Sequence, residues 1–392
     1  MVYFSKHMEA VPPSATLKTA QLVFQLERQG IKVIRLDAGQ PDFDTPEVIK
    51  NAAIKAIKEG FTFYTSSRGI IDLREAIAKR FDKEDVEIDP EKNIIVTPGA
   101  KFAVLSSLFA TIEPGDQVII PTPNWVSYFS MIQMAGGIQV PITSPNTKMI
   151  NEDKILENLN YKTKMILIDY PCNPTGNILT EEEQKFLHDI VLDEDLFLLS
   201  DETYRELYYT EKKPKTMLCC EDLHDNLIII DGFSKTYSMT GWRLGYVIGS
   251  KKLIDLVDKF QQNSTTHPTS FVQKAGIVAL NQAYEEVEKM RNIFKQRRDM
   301  MMEILDKIPE IECTIPNGAF YAFPHIKNPK MDSSAFAYNL LKTKKVSVIS
   351  GNPFGPGGEH HVRLSFATSS EQIKEGLKRL TEFISENQQN VS

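Results

Sequence analysis

Short apolar runs alternate with longer stretches of helical periodicity through the middle of the chain. The runs are rich in isoleucine, leucine and valine, which is typical of fully buried strands, and they include Ile94–Thr97, 165–168, 196–200 and 227–230. Strand–helix alternation at this spacing, from residue 94 to 250, predicts a mostly parallel sheet with right-handed crossovers. We therefore predict an α/β fold whose ligands bind at the carboxyl ends of the strands.

The two ends of the chain show a different pattern. A helical stretch after Pro13 reaches about residue 28 and leads into a turn-rich loop. Beyond a long charged helix, short strands and helices alternate, at 318–323, 332–342, 346–349, 362–366 and 371–387. We predict three parts: an N-terminal arm that belongs partly to a small domain (1–45), a large domain (46–285), and the rest of a small α+β domain (286–392).

Composition indicates the class of protein. With 42% apolar and 25% charged residues, the 392-residue chain resembles soluble globular proteins. A net charge of −7 without a basic block predicts that nucleic acid is not a partner. No apolar run approaches the ~20 residues of a membrane span, and the first residues lack the apolar core of a secretion signal. Because the four cysteines form neither a disulfide framework nor a metal spacing, we predict a cytoplasmic protein without a membrane partner.

The most informative stretch follows the apolar run 227–230. Lys235 comes just after this predicted strand, and Arg243 follows eight residues later. Loss of hydration and a nearby cation both lower the pKa of a lysine, and a neutral lysine amine can form a Schiff base with an aldehyde. Ser234, Thr236 and Arg243 offer donors for a phosphate. Together they indicate a phosphorylated aldehyde, pyridoxal 5′-phosphate, although a lone lysine after a strand is ordinarily a surface residue.

Other polar residues also follow predicted strands. The glycine-led turn at 98–101 opens a helix, whose first N–H groups favour phosphate. Asp201 stands at the mouth of a buried strand, where a carboxylate needs a cation such as a protonated pyridine nitrogen, unless it caps a helix. Tyr204 and Asn173 can hydrogen-bond the 3′-oxygen of the same ring. Because such strand ends meet at one edge of a parallel sheet, these residues and Lys235 form one predicted site.

The segment 234–243, Ser-Lys-Thr-Tyr-Ser-Met-Thr-Gly-Trp-Arg, resembles the lysine segment of the class I aminotransferases of fold type I. The resemblance extends from Pro13 to Ser369 and is closest to the prokaryotic aspartate aminotransferases, a subgroup that also holds aromatic and broad-specificity enzymes. It implies pyridoxal 5′-phosphate as the cofactor and a homodimer as the working unit.

The resemblance also implies roles around the cofactor. Lys235, Asp201 and Tyr204 are the expected catalytic residues, and Trp125 is expected to stack on the cofactor ring. Tyr64, which would otherwise be a half-buried aromatic residue, is expected to reach the partner subunit's phosphate, so that the active site is shared. The full cofactor-binding set is Lys235, Ala100, Lys101, Trp125, Asn173, Asp201, Tyr204, Ser234, Arg243 and Tyr64.

Substrate binding is implied in the same way. Arg363 lies inside an otherwise apolar strand and is expected to bind the α-carboxylate as a bidentate fork. Lys101 is expected on the distal carboxylate of an acidic substrate, although it is equally compatible with a solvated first-turn lysine. The full substrate-binding set is Gly39, Trp125, Asn173, Arg363, Lys101 and Thr16.

We therefore predict transamination between L-aspartate and 2-oxoglutarate, with an aromatic or broad-specificity aminotransferase as the alternative and a C–S lyase as a more distant one. His360 and His361 have no acidic or cysteine partners at metal-binding spacing, so no metal is predicted. The glycine-rich stretch 351–358 precedes no helix, and we expect a flexible connection there instead of a phosphate loop.

Overall fold

The computed structural model describes residues 3–84, 86–145, 147–327 and 331–389. The strands are β1 (Ile34–Arg35), β2 (Ile94–Thr97), β3 (Gln117–Thr122), β4 (Ile138–Thr143), β5 (Thr163–Asp169), β6 (Phe197–Asp201), β7 (Leu227–Gly232), β8 (Gly245–Gly249), β9 (Ile311–Glu312), β10 (Tyr321–Ala322), β11 (His325–Ile326), β12 (Val346–Ser347), β13 (Ile349–Ser350) and β14 (Val362–Ser365). The α-helices are α1 (Lys6–Glu9), α2 (Ala15–Arg28), α3 (Glu47–Lys58), α4 (Ile71–Lys79), α5 (Ala100–Thr111), α6 (Ser127–Met134), α7 (Glu152–Asn158), α8 (Glu181–Asp193), α9 (Phe233–Thr236), α10 (Lys251–Gln262), α11 (Ser270–Gln282), α12 (Tyr284–Leu305), α13 (Ser333–Lys344) and α14 (Ser370–Gln389). Within the described ranges, no helix has the length and apolar character needed to cross a membrane.

The strands β2 to β8 form one seven-stranded sheet in the order β2-β8-β7-β6-β5-β3-β4. Neighbouring strands are parallel except at β8, which runs antiparallel to β7 and β2, so the prediction of a mostly parallel α/β sheet is confirmed. Gly232 pairs with Gly245 at the end of β7, so the chain returns along β7 without the crossover helix that a parallel strand would need. The segment that carries Lys235 is therefore the connection of a hairpin.

Both faces of this sheet are buried, which explains why its strands are apolar without alternation. In β7, Leu227 and Ile229 belong to the core on one face, while Ile228 and Ile230 belong to the core on the other. Burial of each such side chain stabilises the fold by ~1.5 to 3 kcal/mol. The polar residues at the carboxyl ends of these strands therefore stand on a firmly packed base.

A separate core holds the C-terminal strands and part of the N-terminal arm. The strand β1 pairs in parallel with β12, and β14 lies between β10 and β13 in antiparallel pairing. The predicted small α+β part is present in this form. The domain boundaries at residues 45 and 285 remain predictions.

Two predicted strands differ from those observed. Of residues 318–323, only Tyr321 and Ala322 are in a strand, because Ala319 has a left-handed backbone with φ of 55°. The run 346–349 divides into β12, which pairs with β1, and β13, which pairs with β14. An apolar run predicts burial, but it does not predict which strand becomes the partner.

The glycine-rich stretch 351–358 is more closely packed than a flexible connection requires. Asn352–Phe354 form a 3-10 turn, and Phe354 is completely buried against Val126 and Phe323. Gly355 has φ of 96°, and a Cβ there would lie 2.9 Å from the Phe129 ring. The expectation of a flexible connection overlooked Phe354 as an apolar anchor within the glycines.

Candidate active site

A cavity of about 780 Å³ lies at the carboxyl ends of the central strands, under the N-terminal arm. Side chains from the sheet, from α2, from the loop after β1 and from β14 line this cavity. The predicted site residues among them are Gly39, Ala100, Lys101, Trp125, Asn173, Asp201, Tyr204, Ser234, Lys235, Arg243 and Arg363. Residues far apart in the chain are thus brought together at the edge where the sequence predicted a site.

Lys235 stands in the short helix α9 directly after β7. Its Nζ donates a hydrogen bond to the Gly39 carbonyl at 2.5 Å. Burial lowers the pKa of this amine to about 7, and the positive charges of Arg363 and Arg243 add to the decrease. A substantial fraction of the amine is therefore neutral near neutral pH and available as a nucleophile or base.

Asp201 ends β6 and faces the cavity with only hydroxyl and backbone partners for its carboxylate. Tyr128 Oη donates to it at 2.8 Å, and Thr203 Oγ1 donates to it at 2.5 Å. Burial raises the pKa of this carboxyl, while the two hydroxyls oppose that increase. Because no described side chain forms an ion pair with it, the carboxylate is suited to a cation supplied by a ligand.

The start of α5 and Arg243 form a second part of the site. Gly99 precedes the helix with φ of 93°, and a Cβ at this position would collide with the Arg243 guanidinium. Arg243 donates to the Thr240 carbonyl at 2.9 Å, so its charge has no carboxylate partner among the described residues. Free N–H groups at a helix start next to an unpaired guanidinium form a phosphate-binding arrangement.

Arg363 comes from β14, on the opposite side of the cavity, and is 3% exposed. Its Nη1 donates to Asn173 Oδ1 at 2.9 Å, and its Nη2 donates to the Asp37 carbonyl at 3.0 Å. Its Nε has no hydrogen-bond partner in the described part of the chain. Both acceptors are neutral, so this buried cation still lacks a carboxylate.

Residues 31–380 match the family model for aminotransferase class I and II. The chain belongs to this aminotransferase family. It is 38% identical to an aspartate aminotransferase of Bacillus subtilis, over 97% of this chain and 98% of that protein. It is 35% identical to aromatic-amino-acid aminotransferase 2 of Thermococcus litoralis, over 97% of this chain and 98% of that protein. It is also similar to a solved structure of Thermus thermophilus aspartate aminotransferase with maleate, with a TM-score of 0.91 and 33% identity. That match covers 97% of this chain and 100% of the other.

Aminotransferases of this family depend on pyridoxal 5′-phosphate, and the residues of this aminotransferase fit that cofactor. The cavity offers an amine with a lowered pKa at Lys235 and a buried carboxylate without a cation at Asp201. It also offers an unpaired guanidinium at Arg243 beside a helix start. These are the groups that an aldehyde, a pyridine nitrogen and a phosphate require.

Trp125 and Tyr204 line the same cavity of the aminotransferase. The Trp125 ring packs edge-on against Tyr128, and the Nζ of Lys101 lies 5.0 Å from the centre of the Trp125 ring. Tyr204 exchanges a hydrogen bond of 2.9 Å with the Tyr321 hydroxyl. Their roles toward the cofactor ring remain predictions.

Three residues proposed from the sequence are not part of this cavity's described lining. Tyr64 is 87% exposed, and its ring packs edge-on against that of His267, outside the described lining of its own chain's cavity. Thr236 is buried away from the cavity, because residues two apart on a helix point in nearly opposite directions and Ser234 takes the inward side. The side chain of Thr16 lies outside the described part of the structure.

Sequence reasoning missed several residues that shape the site. Tyr128, Thr203 and Tyr321 contact the predicted residues directly, and Asp169 lies on the cavity floor. Thr203 and Tyr128 follow Asp201 and Trp125 closely in the chain, so proximity was an available signal. No such signal existed for Tyr321, because it comes from the small α+β part and lies far along the chain from the predicted residues.

Proposed function

We propose that this aminotransferase transfers the amino group of L-aspartate to 2-oxoglutarate, giving oxaloacetate and L-glutamate. The observation that carries the proposal is Lys101, whose amine lines the cavity near Trp125 without a carboxylate partner among the described residues. Burial and the charge of Arg243 lower the pKa of this amine. If Arg243 binds the phosphate and Arg363 the α-carboxylate, Lys101 is available to bind a second carboxylate, whereas Arg35 of the same lining is already paired with Asp37.

When bound, pyridoxal 5′-phosphate withdraws electrons from the substrate and carries the amino group between two substrates. Lys235 Nζ, whose lowered pKa of about 7 leaves a substantial fraction neutral at pH 7, would accept the substrate Cα proton and later return it. Asp201 would keep the pyridine nitrogen protonated, and Arg363 would orient the substrate through its α-carboxylate. Asn173 would accept a hydrogen bond from Arg363 through Oδ1 and donate one to the 3′-oxygen of the ring through its amide nitrogen.

We further propose a homodimer in which Tyr64 completes the phosphate site of the partner subunit. Its exposure and its place outside the cavity of its own chain support this arrangement. Mixing Tyr64→Ala chains with Lys235→Ala chains should restore activity, because one of the two sites in a mixed dimer is then intact. Sedimentation as a monomer at micromolar concentration would contradict it.

The substrate is tested by measuring kcat/KM with aspartate and with phenylalanine as amino donors, each with 2-oxoglutarate. We expect Lys101→Met to lower kcat/KM for aspartate by ~10- to 100-fold, the value of one charge-assisted hydrogen bond, and to change kcat/KM for phenylalanine little. Lys162→Met is the matched control, since Lys162 lies against the exposed ring of Tyr161 outside the cavity. An equal loss for both donors would contradict the assignment of Lys101.

An aromatic aminotransferase is the alternative, and the similarity to the Thermococcus litoralis protein supports it. Higher kcat/KM for phenylalanine than for aspartate in the unaltered chain would favour this alternative. A C–S lyase would instead release pyruvate and ammonia from a sulfur amino acid without any oxo-acid acceptor.

A further inference from the structure

A second carboxyl group lies on the cavity floor beside Asp201. Asp169 ends β5, and its Cα is paired with that of Asp201 in the parallel register of β5 and β6. The side chain is 3% exposed and lines the cavity. Adjacent buried carboxylates repel each other, and a pyridinium on Asp201 neutralises only one of them.

The two oxygens of Asp169 differ in their contacts. Oδ2 accepts a hydrogen bond from the Asn173 backbone N–H at 3.0 Å. Oδ1 is buried and has no hydrogen-bond partner within the described ranges. The nearest side-chain donors have closer acceptors: Asn124 Nδ2 donates to the Pro121 carbonyl at 3.1 Å, and the Cys172 thiol donates to the Pro123 carbonyl at 3.7 Å. Both groups still lie near enough to act on the Asp169 carboxyl. Buried polar atoms without a partner are rare, and this one is at the floor of a ligand cavity.

We propose that Asp169 is a positioning residue of the active site: one carboxyl oxygen fixes the Asn173 backbone, and the other hydrogen-bonds the molecule that fills the cavity. The inference rests on the cofactor site of the proposed function. Asn173 Oδ1 in turn accepts from Arg363 at 2.9 Å, so Asp169 supports the substrate-carboxylate side as well.

The surroundings keep this carboxyl protonated at neutral pH. Burial raises the pKa of Asp169 to about 8, and the charge of Asp201 adds to the increase, whereas Asn173, Cys172 and Asn124 oppose it. The titratable and charged groups that face it are Asp201 on β6, Tyr128 on α6, Tyr204 after β6, Tyr321 on β10, Cys172 in its own loop and, through Asn173, Arg363 on β14. A protonated carboxyl donates a hydrogen bond, while an ionised one only accepts and repels an anionic ligand.

The test is the binding of pyridoxamine 5′-phosphate at pH 7 and pH 9, measured by calorimetry. All chains carry Lys235→Ala, so that titration of the lysine amine does not contribute. An acid with a pKa of about 8 that binds ligand only in its neutral form loses ~10-fold in affinity between these pH values. Asp169→Asn keeps a donor and an acceptor but cannot ionise. We compare the dissociation constant of the chain that retains Asp169 with that of the Asp169→Asn chain at each pH, so that titrations of the ligand itself cancel in their ratio. We expect this ratio to change ~10-fold between pH 7 and 9. A constant ratio would overturn the proposal.

Two further chains separate the carboxyl from its neighbours. Cys172→Ser in the same background should still bind the ligand ~10-fold more weakly at pH 9 than at pH 7, relative to the Asp169→Asn chain, because the thiol does not cause this change. Loss of the change in the serine variant would overturn the proposal. Asp169→Leu should bind weakly at both pH values, because the donor is absent, and binding equal to that of the Asn variant would contradict it.

A stability measurement covers the case in which the leucine variant does not fold. The pKa of Asp169 is raised in the folded chain, so the stabilisation from its neutral form is complete below about pH 4 and is lost as the pH rises toward 8. The unfolding midpoint should therefore fall relative to that of Asp169→Asn over this range, and parallel curves would refute the inference. Aspartate and phenylalanine turnover decide the proposed function separately, since donor preference does not enter the binding ratio.

Discussion

Removal of the Tyr128 hydroxyl tests how the cavity holds Asp201 in its ionised form. The hydroxyl donates to the Asp201 carboxylate at 2.8 Å, and the Thr203 hydroxyl is the other side-chain donor. A hydrogen bond to a charged group contributes ~1.5 to 3 kcal/mol. Because this hydrogen bond holds the pKa of Asp201 down, we expect Tyr128→Phe to raise that pKa further. We also expect it to lower kcat/KM by ~10-fold, since each ~1.4 kcal/mol corresponds to a factor of ten.

The matched control is Tyr170→Phe. Tyr170 is also fully buried, and its hydroxyl donates to Glu202 Oε1 at 3.1 Å, but it does not line the cavity. Both variants should lose ~1 to 3 kcal/mol of stability, because each leaves a buried acceptor with one donor fewer. The assays are urea unfolding and steady-state kinetics on the same preparations. Equal losses of kcat/KM in both variants would show that the effect is structural and would refute the role given to Tyr128.

Two other predictions concern the lysine and the glycine that it contacts. The rate at which the cofactor-free protein captures pyridoxal 5′-phosphate should rise with pH and reach half its maximum near pH 7, because only the neutral Lys235 amine attacks; stopped-flow absorbance measures this, and a midpoint near the ordinary lysine value would contradict it. Gly39→Ala should leave the unfolding midpoint unchanged, because its Cβ would lie 3.6 Å from the Tyr321 hydroxyl and 4.0 Å from Arg363 Nη2 without a clash. The added methyl group would occupy the space in front of Arg363, so we expect KM for the amino donor to rise ~10-fold while kcat changes less.

The sequence predicted the central sheet well because its strands are buried on both faces. Runs such as Leu227 to Ile230 have no solvent-facing position, and the polar residues after them could be assigned to the carboxyl edge from topology alone. The antiparallel direction of β8 was not predicted, because an apolar run shows burial but not whether the chain turns back along β7, as it does after the loop that carries Lys235.

Contacts made across the cavity were harder to predict. Tyr321 reaches Tyr204 from a strand more than a hundred residues away, and no local pattern indicates that approach. Asp169 precedes a proline-rich turn, and the turn pattern indicated a role for Asn173 but none for Asp169. Its unusual state depends on the register that places it beside Asp201, which only the folded sheet reveals.

The cavity lies at the junction of two separately packed cores, and this has a consequence for the motions of the protein. Lys235 and Arg243 are anchored to the central sheet, while Arg363 and Gly39 are attached to the core that holds β14 and β1. A ligand with a negative group at each end would therefore contact cations attached to both cores and restrict their relative motion. Occupancy should slow amide hydrogen exchange along β14 and the Gly39 loop, far more than in α8 on the outer surface of the sheet.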